Sequence, residues 1–231
     1  MVRIPAREGW SRPPAGRSGR PPRQRAGEVD ARILEAARRV FLERGLAGAS
    51  IDEIAALARA GKPSIYARFA DKEALFGAVV LNNCATAIEQ FESSAPSGPT
   101  IDERLTDAGT KILHWILSSH TIDLMRVSIS EAHRFPDLAN NVQRMARQRG
   151  EEAVGRLLSD AAQSDPLSTV PAFAPERLAT TARFFVDLVV FPLITRALFG
   201  ESLESLRTEI EPHVARTVAF FVAGCQHGGA V

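Results

Sequence analysis

Cysteine is scarce in this chain: Cys84 and Cys225 stand far apart, each inside an apolar helical pattern. That argues against a disulfide-stapled scaffold or a cysteine-rich metal module and points to two buried free thiols in a reducing compartment. A glycine-rich phosphate loop, a G-x-S-x-G turn and an H-E-x-x-H pair are all missing, so neither an enzyme nor a cofactor is expected. The N-terminus has arginines and prolines but no apolar core, unlike a secretory leader. The most apolar run, Phe184 to Phe199, is interrupted by Asp187, Pro192 and Arg196, and it reads as too short and too polar to span a bilayer. The expected place is the cytoplasm, without a membrane partner. No segment alternates with the period of a strand and no internal repeat occurs, which makes the fold all-α.

What is present is unevenly charged. The net charge is +1, yet seven arginines and a single acid, Glu8, lie between Met1 and Arg25, leaving the rest at −5. A basic arm on an acidic body suits an anionic polymer held at one end, and a solubilising tail is the competing reading. Residues 1–26 are rich in Pro, Gly and Arg and lack periodicity, so they are expected to be disordered when free. Within them, Arg17 to Arg23 contains a Gly-Arg-Pro core of AT-hook type, in which Arg20 and Arg23 can enter a narrow minor groove.

Helical period begins at Asp30, with Ile33, Leu34, Ala37, Val40 and Phe41 on one face and Gly45 as the cap. Ser50 and Glu53 have the spacing of a capping box for a second helix, whose buried stripe is Ile51, Ile54, Ala55 and Ala58. Arg59-Ala60-Gly61 is the turn. Lys62-Pro63-Ser64 then opens a third helix, with Pro63 in its first turn, where a missing N–H costs nothing. Ile65 and Phe69 face the core, so Lys62, Ser64, Tyr66, Ala67 and Arg68 point outward or sideways. Asp71 caps a fourth helix running to about Phe91.

Beyond the Pro/Ser-rich loop at Ser93 to Thr100, helices are expected at Ile101–Ser119, Thr121–Phe135 and Pro136–Gln163. A second Pro/Ser-rich loop, Ser164 to Pro175, precedes two strongly apolar helices, about Glu176–Phe199 and Pro212–Gly224. The expected organisation is therefore an arm (1–26), a helix-turn-helix domain (27–72) and a helical body (73–231).

Two helices joined by a short glycine-containing turn form a helix-turn-helix, whose second member enters the major groove of DNA. The words ILEAARRVFLERG, ASIDEIAALA, KPSIYARF and DKEAL occur in order and at the right spacing, and residues 31 to 80 resemble the DNA-binding domain of the TetR family of transcriptional repressors. The resemblance implies phosphate contacts by Tyr66 and Lys72. By their own chemistry, Lys62 reaches a phosphate or guanine edge, Ser50 and Ser64 supply hydroxyls, Pro63 and Ala67 offer apolar contact, and Arg68 is the candidate base reader. Arg59 and Gly61 depart from the family's usual Gly and Ser, which leaves the start of the recognition helix open.

ISEAHRFPDLANN and FFVDLVVFPLITRALFG resemble the AefR-like C-terminal domain of the same family, which implies that the last two helices pair with those of a second subunit. Phe184, Leu188, Phe191, Val214, Val218 and Phe221 are the expected interface. The resemblance also implies a small-molecule effector. His114, Trp115, Leu117, Met125, Ile129, His133 and Phe135 are its candidate lining, suited to a hydrophobic or aromatic ligand. His114, His120, Asp123, Glu131 and His133 do not recur at i, i+4, and no metal is expected.

Overall fold

The computed structural model describes residues 23–93, 96–164 and 170–227. Its helices are α1 (Arg23–Gly48), α2 (Ile51–Ala58), α3 (Lys62–Tyr66), α4 (Lys72–Ser93), α5 (Ile101–Ile116), α6 (Ser119–Glu131), α7 (Pro136–Ser164), α8 (Leu178–Leu198) and α9 (Leu203–His227), with a 3-10 turn at Pro171–Phe173 before α8. No strand occurs among the described residues, as the periodicity requires. Arg20 and the rest of the expected disordered arm up to residue 22 lie outside the described residues.

Several boundaries differ from expectation. The first helix starts at Arg23, not Asp30. Arg, Gln and Ala favour helix, and Gly27 has open space around it. Gly45 breaks the geometry at φ 67°, as a glycine at that end was expected to do. The reciprocal capping box at Ser50 is only half made. Ser50 Oγ accepts from the Asp52 N–H at 3.2 Å, but the Glu53 carboxylate is taken by the Arg44 guanidinium in a two-point contact (2.8 and 3.0 Å). A charge-assisted fork outcompetes a backbone N–H. A complete box instead opens α5, where Thr100 and Glu103 cap each other. Helix α9 also runs straight through Pro212. Its buried stripe of Leu206, Ile210, Val214 and Val218 packs on both sides of the proline and holds the helix together.

The described residues form two cores. The first joins Ile33, Ala37, Val40 and Phe41 of α1, Ile54 and Ala58 of α2, Ile65 of α3, and Leu75, Phe76 and Val79 of α4. Phe41 and Phe76 meet edge to face at 5.2 Å. This core takes side chains from both sides of residue 72. The second core lies between α5, α7, α8 and α9, with Phe185 against Phe221 at 5.2 Å. Gly109 lets α5 approach closely there, since a Cβ on it would sit 3.0 Å from Val214.

Helix α6 is common to both. Leu124 enters the first core while Ile122 enters the second. Arg126 donates to the Ala197 carbonyl at the end of α8 (2.8 Å), and Glu131 accepts from the Ala47 N–H in the last turn of α1 (3.3 Å). Near its start, His120 faces Arg38 and Glu35 of α1, with Asp123 and Ser118 on its own side. Burial, and then the Arg38 charge, hold the imidazole below its ordinary value of 6.5. The fold thus favours neutral His120, so its contribution is present above 6.5 and is lost as pH falls through the lowered value. Thermal melts between pH 7.5 and 5 are expected to show an acid-side loss that His120→Gln reduces.

Candidate nucleic-acid interface

Helix α3 is short because its supports are external. Ile65 is buried against α1 and α2 and fixes its inner face, with Phe69 half-buried beyond it. Gly61 is its N-cap, with extended backbone and no side-chain hydrogen bond, so the helix begins at Lys62. The turn before it keeps the conformation that glycine usually supplies: Arg59 is left-handed (φ 49°) and its N–H closes onto α2. Such a backbone costs a non-glycine residue about 1–2 kcal/mol.

On the outer face, Lys62, Pro63, Tyr66 and Ala67 are exposed. Tyr66 is 54% exposed, which leaves its phenol open to an approaching phosphate. Ser50 sits half-buried at the start of α2 and spends its hydroxyl on the cap.

The cations of this surface are engaged within the chain. Lys62 pairs with Asp52 in the first turn of α2. Arg68 pairs with Asp30 of α1 and donates to the Ser64 carbonyl (2.8 Å) and hydroxyl (2.9 Å). Lys72 Nζ donates to the carbonyls of Ala47 and Ala49 at 3.0 and 3.1 Å. Arg68, expected to reach outward to a base, is thus folded back between α3 and α1, and Lys72 closes the loop between α1 and α2. In the sequence, Asp30, Asp52 and Glu131 have no visible pairing role. Asp30 lies 38 residues from its partner, and no local pattern reveals it.

The expected effector lining does not come together. Leu117 is in the second core and Phe135 packs on the first. Trp115 and Met125 are half-buried, while His114, Ile129 and His133 are exposed. These residues fall on different faces of α5 and α6, so apolar character alone did not place them in one wall. Two clefts among the described residues are open and more polar. One, of about 380 Å³, is lined by Gln143, Arg144, Arg147, Gln148, Glu151 and Arg183. The other, of about 270 Å³ between α4 and α7, is lined by Ala85, Ile88, Glu89, Arg149, Glu152 and Arg156.

The six expected interface residues divide in two. Phe184, Leu188 and Phe191 form an exposed stripe on α8, with Phe191 67% exposed. Val214, Val218 and Phe221 are instead buried in the chain's own core, on the face of α9 that meets α5 and α8. The exposed aromatic of α9 is Phe220, at 72%. Helix α8 is therefore apolar on both sides, with Phe185, Val189 and Leu193 turned inward. That is also why the whole of α8, Leu178–Leu198, is long and apolar enough for a membrane span by length and composition alone, as the core helix of a globular body can be.

A short helix with a buried inner face and an exposed outer one, set across a tight turn from a supporting helix, defines a helix-turn-helix DNA-binding protein. The chain belongs to the TetR family of bacterial regulatory proteins: residues 33–79 match the family's own model, and residues 103–224 match the AefR-like transcriptional repressor C-terminal domain. It is thus a transcriptional regulator. Among relatives, it is 30% identical over 112 residues to the HTH-type transcriptional repressor Rv3405c of Mycobacterium tuberculosis (strain ATCC 25618 / H37Rv), covering 48% of this chain and 56% of that protein. It is 54% identical over 50 residues to the repressor SCO4008 of Streptomyces coelicolor (strain ATCC BAA-471 / A3(2) / M145), covering 22% and 26%. The chain therefore spans little more than half of the first relative and about a quarter of the second. Its fold is similar to a TetR-family regulator from Mesorhizobium loti MAFF303099 (TM-score 0.69, 23% identity, 86% of this chain and 97% of that one). It is also similar to the flavonoid-responsive regulator FrrA (TM-score 0.67, 26% identity, 88% and 100%).

Proposed function

We propose that the chain is a cytoplasmic repressor that binds a two-fold operator as a homodimer, one Lys62–Tyr66 helix in each major groove, and is released by a small hydrophobic effector. The observation that carries this reading is the stripe of Phe184, Leu188 and Phe191, left uncovered by the chain's own core, with Phe220 exposed on the neighbouring helix. Exposed aromatics in such a row suit a second apolar surface, and a second copy supplies it by symmetry. Two recognition helices held in this way match a two-fold site.

The effector part rests on the likeness to a flavonoid-responsive regulator, which favours a planar aromatic ligand. The α4–α7 cleft suits its entry, because α4 runs from Ala85 and Ile88 back to Lys72, which holds the loop beneath the recognition helix. A ligand that moves α4 there changes the spacing of the two helices.

Sedimentation at micromolar concentration should give twice the chain mass, and footprinting should give a two-fold protected site. A monomer with no two-fold site overturns the reading. Tyr66→Phe should lower affinity about tenfold on every DNA alike, through loss of a phosphate hydrogen bond. A complex that survives every aromatic effector tried would mark a ligand-independent architectural protein instead.

A further inference from the structure

Two cations of the DNA-facing surface are paired with carboxylates rather than left free. Both cations that α3 and its exit present are held by carboxylates from neighbouring helices: Lys62 by Asp52 of α2, and Arg68 by Asp30 of α1. Asp52 also occupies the first turn of α2, where the backbone N–H groups would otherwise favour a phosphate. The other acid of that turn, Glu53, is neutralised by Arg44. The Asp52 side chain is 69% exposed, so it is not needed to hold the fold. It is nevertheless placed where an approaching backbone meets it.

We propose that Asp52 and Asp30 are specificity-determining residues that mask the recognition-helix cations from non-specific DNA. Non-specific binding consists of phosphate neutralisation, and each additional cation engaged steepens the salt dependence by about 0.9. A masked cation contributes little of this. On a matching site the cation leaves its carboxylate for a base edge, typically guanine O6 and N7, which only the correct sequence offers. Opening the solvent-exposed Lys62–Asp52 pair is a small cost beside such a contact, while the more buried Arg68–Asp30 pair costs more to open. Removing the mask therefore helps random DNA more than it helps the matching site. Neither acid needs to touch a base, and both act through the cations they hold. The proposal rests on DNA binding by α3 and is independent of the oligomeric state.

The test compares Asp52→Asn with the unaltered full-length chain on two duplexes: one selected by the unaltered protein from a random pool, and one of scrambled sequence. Asparagine keeps the size and removes the charge. Binding is measured from 50 to 300 mM salt. The expected result is at least a threefold gain on scrambled DNA with a salt slope steeper by about one unit per subunit, and less than a twofold change on the selected duplex. Asp30→Asn should act in the same direction, and Asp52→Glu should restore the original ratio. Thermal melts control for folding, and because Asp52 is exposed its variant carries the test even if Asp30→Asn is unstable. An equal gain on both duplexes would make the acids general repellents of DNA. An unchanged slope, or lost binding in a folded variant, would overturn masking altogether. Failure of the selection to enrich any sequence would count against DNA reading by α3 itself, a different result from any of these.

Discussion

Replacing Phe184 and Phe191 together with aspartate should give a folded monomer that has lost at least a hundredfold in affinity for the proposed two-fold DNA site. Neither side chain belongs to the chain's own core, Phe191 being 67% and Phe184 47% exposed, so the substitution removes little of the subunit's own packing and its thermal midpoint should move little. The helix itself is held by the opposite face, through Phe185, Val189 and Leu193. Buried in an interface, each phenylalanine contributes about 1.5–3 kcal/mol, and two carboxylates set against their symmetry mates add repulsion and desolvation. Binding to both half-sites depends on linkage, since a second half-site engaged within one dimer sees an effective concentration near millimolar. The control is Val214→Asp. It should unfold the body rather than dissociate it, because Val214 is fully buried within one subunit. Sedimentation and circular dichroism on the two variants separate these outcomes. A dimeric Phe184→Asp/Phe191→Asp protein would move the interface elsewhere.

That contrast shows where the sequence was legible. The apolar content of the last two helices marked Phe184, Val214 and Phe221 as surface to be covered, but it does not say whose surface covers them. α8 has two such faces, and only packing distinguishes the inner row of Phe185, Val189 and Leu193 from the outer one. The helix-turn-helix was readable because its determinants are local: Ile54, Ala58 and Ile65 at helical spacing, a proline in a first turn, Asp71 capping the Ala74 N–H. Electrostatic partners were not, since Arg44 takes Glu53 from nine residues away and Asp30 takes Arg68 from 38. The effector lining failed for a related reason. His114 and Leu117 are three residues apart on α5 and its exit, yet one is exposed and the other fully buried. Apolar and aromatic content marks which segments contain a pocket's materials, while the rotation of each helix decides which of them share a wall.

Phe76→Ala should destabilise the DNA-binding half selectively. Phe76 is almost fully buried and meets the Phe41 ring edge to face. Its removal leaves a cavity between α1 and α4, and phenylalanine-to-alanine changes of this kind cost about 3–5 kcal/mol. That is a large share of the roughly 5–15 kcal/mol that holds a domain folded. The C-terminal core draws on α5, α7, α8 and α9 and takes nothing from Phe76, so it should persist. The expected melt therefore has two transitions where the unaltered protein has one, the earlier accompanied by loss of DNA binding and the later by loss of the dimer. Helix α6 sets how sharp the separation is. Leu124 belongs to the first core while Ile122 belongs to the second, so unfolding the first half must release Leu124 without dislodging Ile122. Glu131 should let go of Ala47 in the same step, because the end of α1 that it holds belongs to the half that melts. A single transition at lower temperature, with DNA binding and dimer lost together, would mean that α6 makes one cooperative unit of the two cores. In that case Leu124→Ala should separate them, and the same melt would show it.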